Sequence, residues 1–194
     1  MKSTIEKPLI STIKDKCRTC YTCVRECPAK AIRIFEGQAE IIPERCIGCG
    51  NCVQVCSQNA KKVHSSIPNV NLLLKSGKKT VAILAPSFPA EFNEMEFPEL
   101  VGMIKALGFN FVNEVGFGAE LVANKMKELV DSTTEERYIA TACPAVFGYV
   151  KRYHPGLIPN LAPVVSPMIA TARMVKKLYG NDIKIVFLLS LIHI

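Results

Sequence analysis

The sequence predicts two folds in series: a small, cysteine-rich α+β domain, then an α/β domain with three layers and a mostly parallel sheet. Eight of the nine cysteines lie in one early stretch, residues 17–56. Further along, short apolar runs alternate with segments of helical periodicity, which is typical of α/β folds. Between the two regions lies KSGKK, whose glycine and charges indicate a surface connection. We therefore place domains at residues 1–70 and 80–188, with a linker at 71–79.

The cysteine stretch is an internal repeat. CRTCYTCVREC is followed by CIGCGNCVQVC, and every cysteine of the first run recurs in the second at one fixed spacing. Ala31 is matched by Ala60 in the same way. A CxxCxxC loop can present three thiolates to the corners of an iron-sulfur cube, and in two-cluster ferredoxins the fourth cysteine of each run ligates the other cluster. The repeat therefore predicts a two-[4Fe-4S] ferredoxin-type domain.

The crossed pattern assigns a ligand set to each cluster. Cluster 1 is expected on Cys17, Cys20, Cys23 and Cys56, and cluster 2 on Cys46, Cys49, Cys52 and Cys27. Pro28 completes the usual CP pair after the first run, whereas Ser57 stands there in the second. This departure leaves every ligand in place.

Zinc, disulfides and buried structural thiols are the alternatives. Tetrahedral zinc sites usually pair CxxC with a distant CxxC or with histidines, so a third cysteine exceeds what zinc needs. Disulfides require an oxidising compartment, and residues 1–12 lack the apolar core of a signal peptide. The iron-sulfur interpretation is therefore favoured.

The formal charge of +7 does not by itself indicate a nucleic-acid partner. Each cluster with its four thiolates carries about −2, so the loaded protein would be near +3. The basic residues are scattered, with no stripe of interleaved aromatics. No apolar run reaches the roughly 18 to 20 residues of a membrane span. We expect a soluble, cytoplasmic protein that does not bind nucleic acid and has no membrane span.

The individual elements follow from periodicity. Short strands are expected before each cysteine loop, at 9–13 and 39–42, and buried strands of the α/β part at 81–85, 109–115, 138–142 and 183–188. One helix stripe is formed by Leu100, Met103, Ile104 and Leu107, and another by Val122, Met126 and Leu129. A third helix is expected from Pro167 to Tyr179, since Ser166 suits its cap and Gly180 its exit.

The ninth cysteine, Cys143, stands apart. It ends a predicted strand and precedes Pro144, which favours the first turn of a helix. Ligands of open α/β sheets gather at the carboxyl ends of strands, and a helix N-terminus stabilises a thiolate. Cys143 is therefore a candidate ligand, although its spacing alone favours a small buried thiol, the common role of a lone cysteine.

The order of the segments adds a resemblance. A two-cluster ferredoxin followed by VAILAPSFPAEF, EVGFGAELV, TACPAVFGYV and APVVSPMIATARMVKKLYG resembles iron-only hydrogenases over residues 15–187. The resemblance implies a large α/β domain that holds the hydrogen-activating H-cluster. The family's TSCCP motif carries, just before its proline, a ligand of the [4Fe-4S] part of that cluster, and Cys143 matches it. The resemblance thus implies an H-cluster in a full-length homologue.

Two departures from the family bear on function. The preceding, proton-relaying cysteine is here Ala142, as in the family's sensory branch, where hydrogenase-like domains join signalling modules. The resemblance therefore implies an iron-sulfur electron-transfer module of a redox- or hydrogen-sensing protein, partnered by a redox protein or a downstream signalling domain. A fragment of a catalytic hydrogenase and a stand-alone ferredoxin-like carrier are the alternatives.

The second departure is at the end of the sequence. The family's later H-cluster motifs should follow residue 188, and they are absent from the sequence. Residues 189–194 resemble a translated sequencing adapter, so we expect an artificial tail there. Hydrogen turnover by these residues alone is not expected.

Overall fold

The computed structural model describes residues 9–133 and 137–188. The chain divides into two compact units. Of the described residues, the first unit comprises 9–65 together with Pro144–Pro159, and the second comprises Ser66–Cys143 and 160–188. In the described parts of the chain, no helix is both long and apolar enough to cross a membrane.

The first unit consists of two small antiparallel sheets and short helices. Strand β1 (Ile10–Thr12) pairs with β4 (Lys61–Val63), and β2 (Ile32–Phe35) pairs with β3 (Gln38–Ile41). One helical turn follows each cysteine loop, α1 (Thr22–Arg25) and α2 (Asn51–Gln54). The first and last strands of the cysteine region therefore close on each other, with Thr12 opposite Lys61.

The repeat in sequence is also a repeat in backbone conformation. The residues before α1 and α2, Tyr21 and Gly50, both have left-handed backbones, with φ of 63° and 78°. Two residues earlier in each loop, Thr19 and Gly48 also have positive φ, 52° and 70°. Such conformations cost an L-residue about 1–2 kcal/mol and cost glycine little. The same loop is thus built with glycines in the second half and without them in the first.

The buried core of the first unit is small and rich in sulfur. Its buried members are Ile10, Cys23, Cys27, Ala29, Ala31, Ile32, Ala39, Ile41 and Cys52. Alanines and cysteines outnumber the large aliphatic side chains, so little apolar area is buried. A domain of this size needs a further source of stability, and bound metal commonly supplies it.

The second unit contains a three-stranded parallel sheet in the order β6, β5, β7. Its strands are β5 (Thr80–Leu84), β6 (Phe111–Glu114) and β7 (Lys184–Leu188). The helices of this unit are α3 (Ile67–Lys75), α4 (Phe88–Glu91), α5 (Phe97–Ala106), α6 (Gly116–Ser132) and α8 (Pro167–Tyr179). Helix α7 (Pro144–Tyr153) belongs to the first unit.

Helices cover both faces of the parallel sheet. Val175 of α8 packs with Val81 and Ile83 on one face, whereas Leu100 and Ile104 of α5 pack with residues of the other. All five residues of the central strand β5 are buried. A strand covered on both sides is apolar, which explains the run VAIL. Thr80, the first residue of the strand, donates its hydroxyl hydrogen to Asn110 Oδ1 at 3.3 Å.

Most predicted elements of the α/β part are present. The strands predicted at 81–85, 109–115 and 183–188 correspond to β5, β6 and β7, and α8 begins and ends as predicted. The backbone N–H of Ile169 donates to Ser166 Oγ at 3.4 Å, so Ser166 caps the helix. The mostly parallel sheet of the predicted α/β part is therefore confirmed.

Three expectations about elements differ from the structure. The strand predicted at 138–142 is reduced to one bridge between Ile139 and Leu161. Residues 71–79, expected to be a linker, begin with the last five residues of helix α3, because Val70 and Leu74 pack in the core of the second unit. Met103 and Leu107 of the predicted stripe are exposed. The predicted artificial tail, residues 189–194, lies outside the described residues.

Candidate iron-sulfur centre

The structure arranges eight cysteines around two cavities of the first unit. One cavity is lined by the thiols Cys17, Cys20, Cys23 and Cys56. The other is lined by Cys27, Cys46, Cys49 and Cys52. In each, three thiols come from one loop and the fourth from the end of the other run. Each cavity is lined by the same four cysteines as one of the ligand sets expected from the sequence.

Backbone amides point at the sulfur atoms of the two crossing cysteines. The N–H of Ala31 donates to Cys27 Sγ at 3.2 Å, and the N–H of Ala60 donates to Cys56 Sγ at 3.2 Å. The two alanines are repeat partners, so the same bond occurs once in each half. Gly48 N–H also donates to Cys46 Sγ, at 3.4 Å. Hydrogen bonds to cluster sulfurs are among the features that set an iron-sulfur potential.

The cysteines of the first cavity differ in exposure and acidity. Cys20 is exposed, and the Thr22 hydroxyl, whose Oγ1 lies 3.5 Å from Cys20 Sγ, lowers the pKa of this thiol. Burial raises the pKa of Cys17, but backbone hydrogen bonds from Ala39 and Thr19 outweigh it, so the net shift is downward. These two thiols are thus prepared to bind metal as thiolates.

The most deeply placed thiols behave in the opposite way. Burial raises the pKa of Cys52 to about 11, and burial likewise raises the pKa of Cys23. Such thiols hold their protons near neutral pH and release them only when a cation takes the proton's place. Cluster binding at either cavity is therefore coupled to proton release.

The residues present fit an iron-sulfur cluster in each cavity. Four thiols around each cavity, with amide donors to the sulfurs of Cys27 and Cys56, are the chemistry that such clusters require. Among the residues that the structure describes, no three Cys, His, Asp or Glu side chains converge on a point that would hold a single metal ion. The thiols instead surround a space between them.

Helix α7 packs on the segments that carry the second cavity's cysteines. Tyr153 Oη donates to Ala29 O at 2.7 Å and lies 3.0 Å from Arg45 O, beside Cys27 and Cys46 respectively. Gly148 faces Ile47, the residue after Cys46, and an added Cβ would lie 3.9 Å from Ile47 Cβ. The sequence pattern did not predict these contacts, because α7 is distant from the cysteines along the chain.

Cys143 belongs to the second unit and is exposed. Thr141, two residues earlier, donates through Oγ1 to Val164 O at 2.8 Å, which joins the TACP segment to the segment leading into α8. Gly118 of α6 lies against α8, where an added Cβ would collide with Thr171 Oγ1. Three of the motifs that carry the family resemblance thus meet in the second unit.

Comparison with known families agrees with this arrangement. Residues 9–57 match the family model of the 4Fe-4S dicluster domain. Residues 78–190, more than half of the chain, match the iron-only hydrogenase large subunit, C-terminal domain. The chain belongs to the iron-only hydrogenase large-subunit family. As a hydrogenase-like protein with a dicluster domain, it binds [4Fe-4S] clusters.

Two curated relatives of this hydrogenase-like chain carry one name, cytosolic Fe-S cluster assembly factor NAR1. The relative from Yarrowia lipolytica is 32% identical over 75 residues, which cover 39% of this chain and 15% of the relative. The relative from Candida dubliniensis is 27% identical over 127 residues, which cover 64% of this chain and 22% of the relative. The matched regions thus span less than a quarter of either relative.

Proposed function

We propose that this chain is the electron-transfer module of a hydrogenase-like protein, with cluster 1 on Cys17, Cys20, Cys23 and Cys56 and cluster 2 on Cys27, Cys46, Cys49 and Cys52. The observation that supports it is the division of eight thiols between two cavities in crossed sets. A bound [4Fe-4S] cluster accepts and releases one electron at a time. The surrounding residues hold it, exclude water and set its potential.

The exposure of the thiols suggests a direction of electron entry. Cys20 is exposed and Tyr21 beside it is 50% exposed, whereas α7 covers the segments around the second cavity. An external redox protein would therefore exchange electrons at cluster 1. A cytoplasmic protein is proposed, since both curated relatives are named cytosolic.

We place the intact protein in the sensory branch of the family, as a redox or hydrogen sensor. Ala142 cannot relay a proton, while Cys143 keeps the thiol expected to ligate the H-cluster. Recovery of the complete reading frame tests this. A signalling domain downstream would support sensing, whereas a set of catalytic motifs ending the protein would contradict it.

A second candidate function is iron-sulfur cluster assembly. It is favoured by the name that both relatives carry and by their similarity to this chain. An assembly factor must give up a cluster, while an electron carrier must keep its clusters through many redox cycles. Retention of clusters during repeated cycling therefore separates the two candidates.

Anaerobic reconstitution tests the proposed function. The 194-residue protein should take up about eight iron and eight sulfide atoms per chain, and dithionite should bleach its visible absorption reversibly. About four iron atoms, or zinc in place of iron, would contradict the two-cluster module. Quantitative transfer of clusters to a cluster-free acceptor ferredoxin would favour assembly over electron transfer.

A further inference from the structure

Lys61, the first residue of β4, is a lysine buried beside the first thiol cavity. Its side chain is 7% exposed, and it lines that cavity together with the four thiols. Nζ donates to Thr12 Oγ1 at 2.7 Å and to Ala39 O at 3.1 Å. Thr12 Oγ1 donates to the same carbonyl. The ammonium is therefore held in one position by two strands.

The charge of Lys61 is not balanced by a carboxylate. Among the described residues, no Asp or Glu oxygen lies within 4 Å of Nζ, and both recorded ion pairs are exposed pairs elsewhere. An unpaired buried charge is costly, so native proteins almost always compensate it. The compensating anion available here is the thiolate-bound cluster, which carries about −2.

Lys61 lies at the first cavity. Among the described residues it lines the cavity of Cys17, Cys20, Cys23 and Cys56, and it is not part of the lining of the other four cysteines' cavity. The interaction between two charges weakens as their separation grows, so the charge of Lys61 acts more strongly on cluster 1 than on cluster 2.

The sequence repeat is broken at this position. The residue that matches Lys61 in the first half is Ile32, which is 6% exposed and lines the second cavity. The first cavity is thus lined by a buried lysine where the second is lined by an isoleucine. The two clusters, otherwise related by the repeat, lie in different electrostatic environments.

We propose that the positive charge of Lys61 makes the reduction potentials of the two clusters differ, with cluster 1 the more easily reduced. Reduction adds one electron, taken from the reductant, and changes the net charge of a cluster from about −2 to about −3. A fixed positive charge stabilises the more negative state, and low dielectric strengthens this interaction. Electrons therefore collect on cluster 1 before cluster 2.

A redox titration of reconstituted protein with dithionite, followed by electron paramagnetic resonance, tests the inference. In Lys61→Met the midpoint potentials of both clusters should fall. The potential of cluster 1, which is the higher one, should fall by more, so the difference between the two potentials should narrow. We expect at least an approximately tenfold change in the ratio of reduced to oxidised cluster 1 at fixed potential, which is about 59 mV for one electron. Iron content should stay unchanged.

Two control variants separate charge from packing. Lys61→Arg keeps the positive charge and should keep the gap between the potentials. Lys62→Met removes a charge from the exposed neighbour in the same strand and should change neither potential appreciably. Unchanged midpoints in Lys61→Met, or equal shifts in Lys61→Met and Lys62→Met, would overturn the inference.

This inference rests on the proposed two-cluster module, and iron content distinguishes the two failures. A parent protein with no clusters contradicts the module itself, whereas loaded clusters with unmoved potentials contradict only the role of Lys61. Should Lys61→Met fail to load, neutral Lys61→Gln, which retains hydrogen-bond donors, replaces it. If neither neutral variant binds clusters while Lys61→Arg does, Lys61 is needed for cluster binding and its proposed role as a tuning charge is wrong.

Discussion

The two halves of the cysteine repeat carry the same thiols in different surroundings. The first loop has an exposed cysteine, Cys20, and non-glycine residues in left-handed conformations. The second loop has glycines at the matching positions, Gly48 and Gly50, and Cys49, which matches Cys20, is half-buried. The ligand spacing is the same in both loops because it must match the geometry of the cluster. Exposure, charge and the residue types at the left-handed positions can differ between the loops, because the ligand spacing does not depend on them.

The largest expected effect comes from removing a crossing cysteine. Cys27→Ala should lose about half of the bound iron, because the proposed cluster 2 loses its fourth ligand. Alkylation of the loaded variant, followed by peptide mass mapping, should then modify Cys46, Cys49 and Cys52. The matched variant Cys56→Ala should instead leave Cys17, Cys20 and Cys23 open to alkylation.

An uncrossed arrangement predicts the reverse labelling in this pair of variants. Exposure of the first loop's remaining cysteines in Cys27→Ala would therefore contradict the proposed ligand sets. Cys143→Ala serves as the control, since it should leave about eight iron atoms bound to the first unit.

A smaller effect is expected from the left-handed residues. Gly48→Ala should destabilise the loaded protein by about 1–2 kcal/mol, because alanine is strained at a φ of 70°. Its Cβ would also lie 3.3 Å from Leu9 Cδ2. Thr19→Gly relieves the same strain but loses the bond from Thr19 Oγ1 to Gly37 O, so its net change should be under about 1 kcal/mol.

Anaerobic thermal unfolding of the two loaded variants measures this difference. If Gly48→Ala and Thr19→Gly destabilised the loaded protein equally, the expected difference in backbone strain between the two loops would be contradicted. Iron content, measured beside each melt, ensures that cluster loss is not mistaken for strain.

The smallest effect is expected at Thr22, whose hydroxyl lowers the pKa of Cys20. Thr22→Val removes the hydrogen bond to sulfur and keeps the shape of the side chain. A hydrogen-bond donor to sulfur stabilises the reduced cluster, so its loss should lower the reduction potential of cluster 1. The decrease should be less than about 59 mV, which corresponds to a tenfold change in the ratio of reduced to oxidised cluster. The redox titration used for Lys61 measures it. A potential that rises in Thr22→Val would contradict the proposed donor role.

Much of the fold followed from periodicity and capping. The run VAILA predicts a buried strand because all five residues are apolar, and Ser166, Pro167 and Gly180 mark the limits of α8. Helix α3 was not predicted, because its sequence carries polar residues and its packing involves only a few side chains such as Val70 and Leu74. Strand β4 was also not predicted, since two of its three residues are lysines and show no apolar pattern.

The sequence by itself determined the cluster chemistry. Ligand spacing within a loop is a local property, fixed by the covalent chain, so CxxCxxC and its repeat can be interpreted without a structure. Membership of the hydrogenase family was likewise apparent from contiguous motifs, which the family comparison confirms.

Only the tertiary structure decided what surrounds those thiols. Lys61 is buried because β4 pairs with β1 and places it opposite Thr12, and α7 reaches Ala29 and Arg45 from far along the chain. Burial and charge balance depend on such long-range packing, which no local pattern encodes. A lysine among lysines in KKV looks like a solvated pair, and the fold turns one of the two toward a thiol-lined cavity.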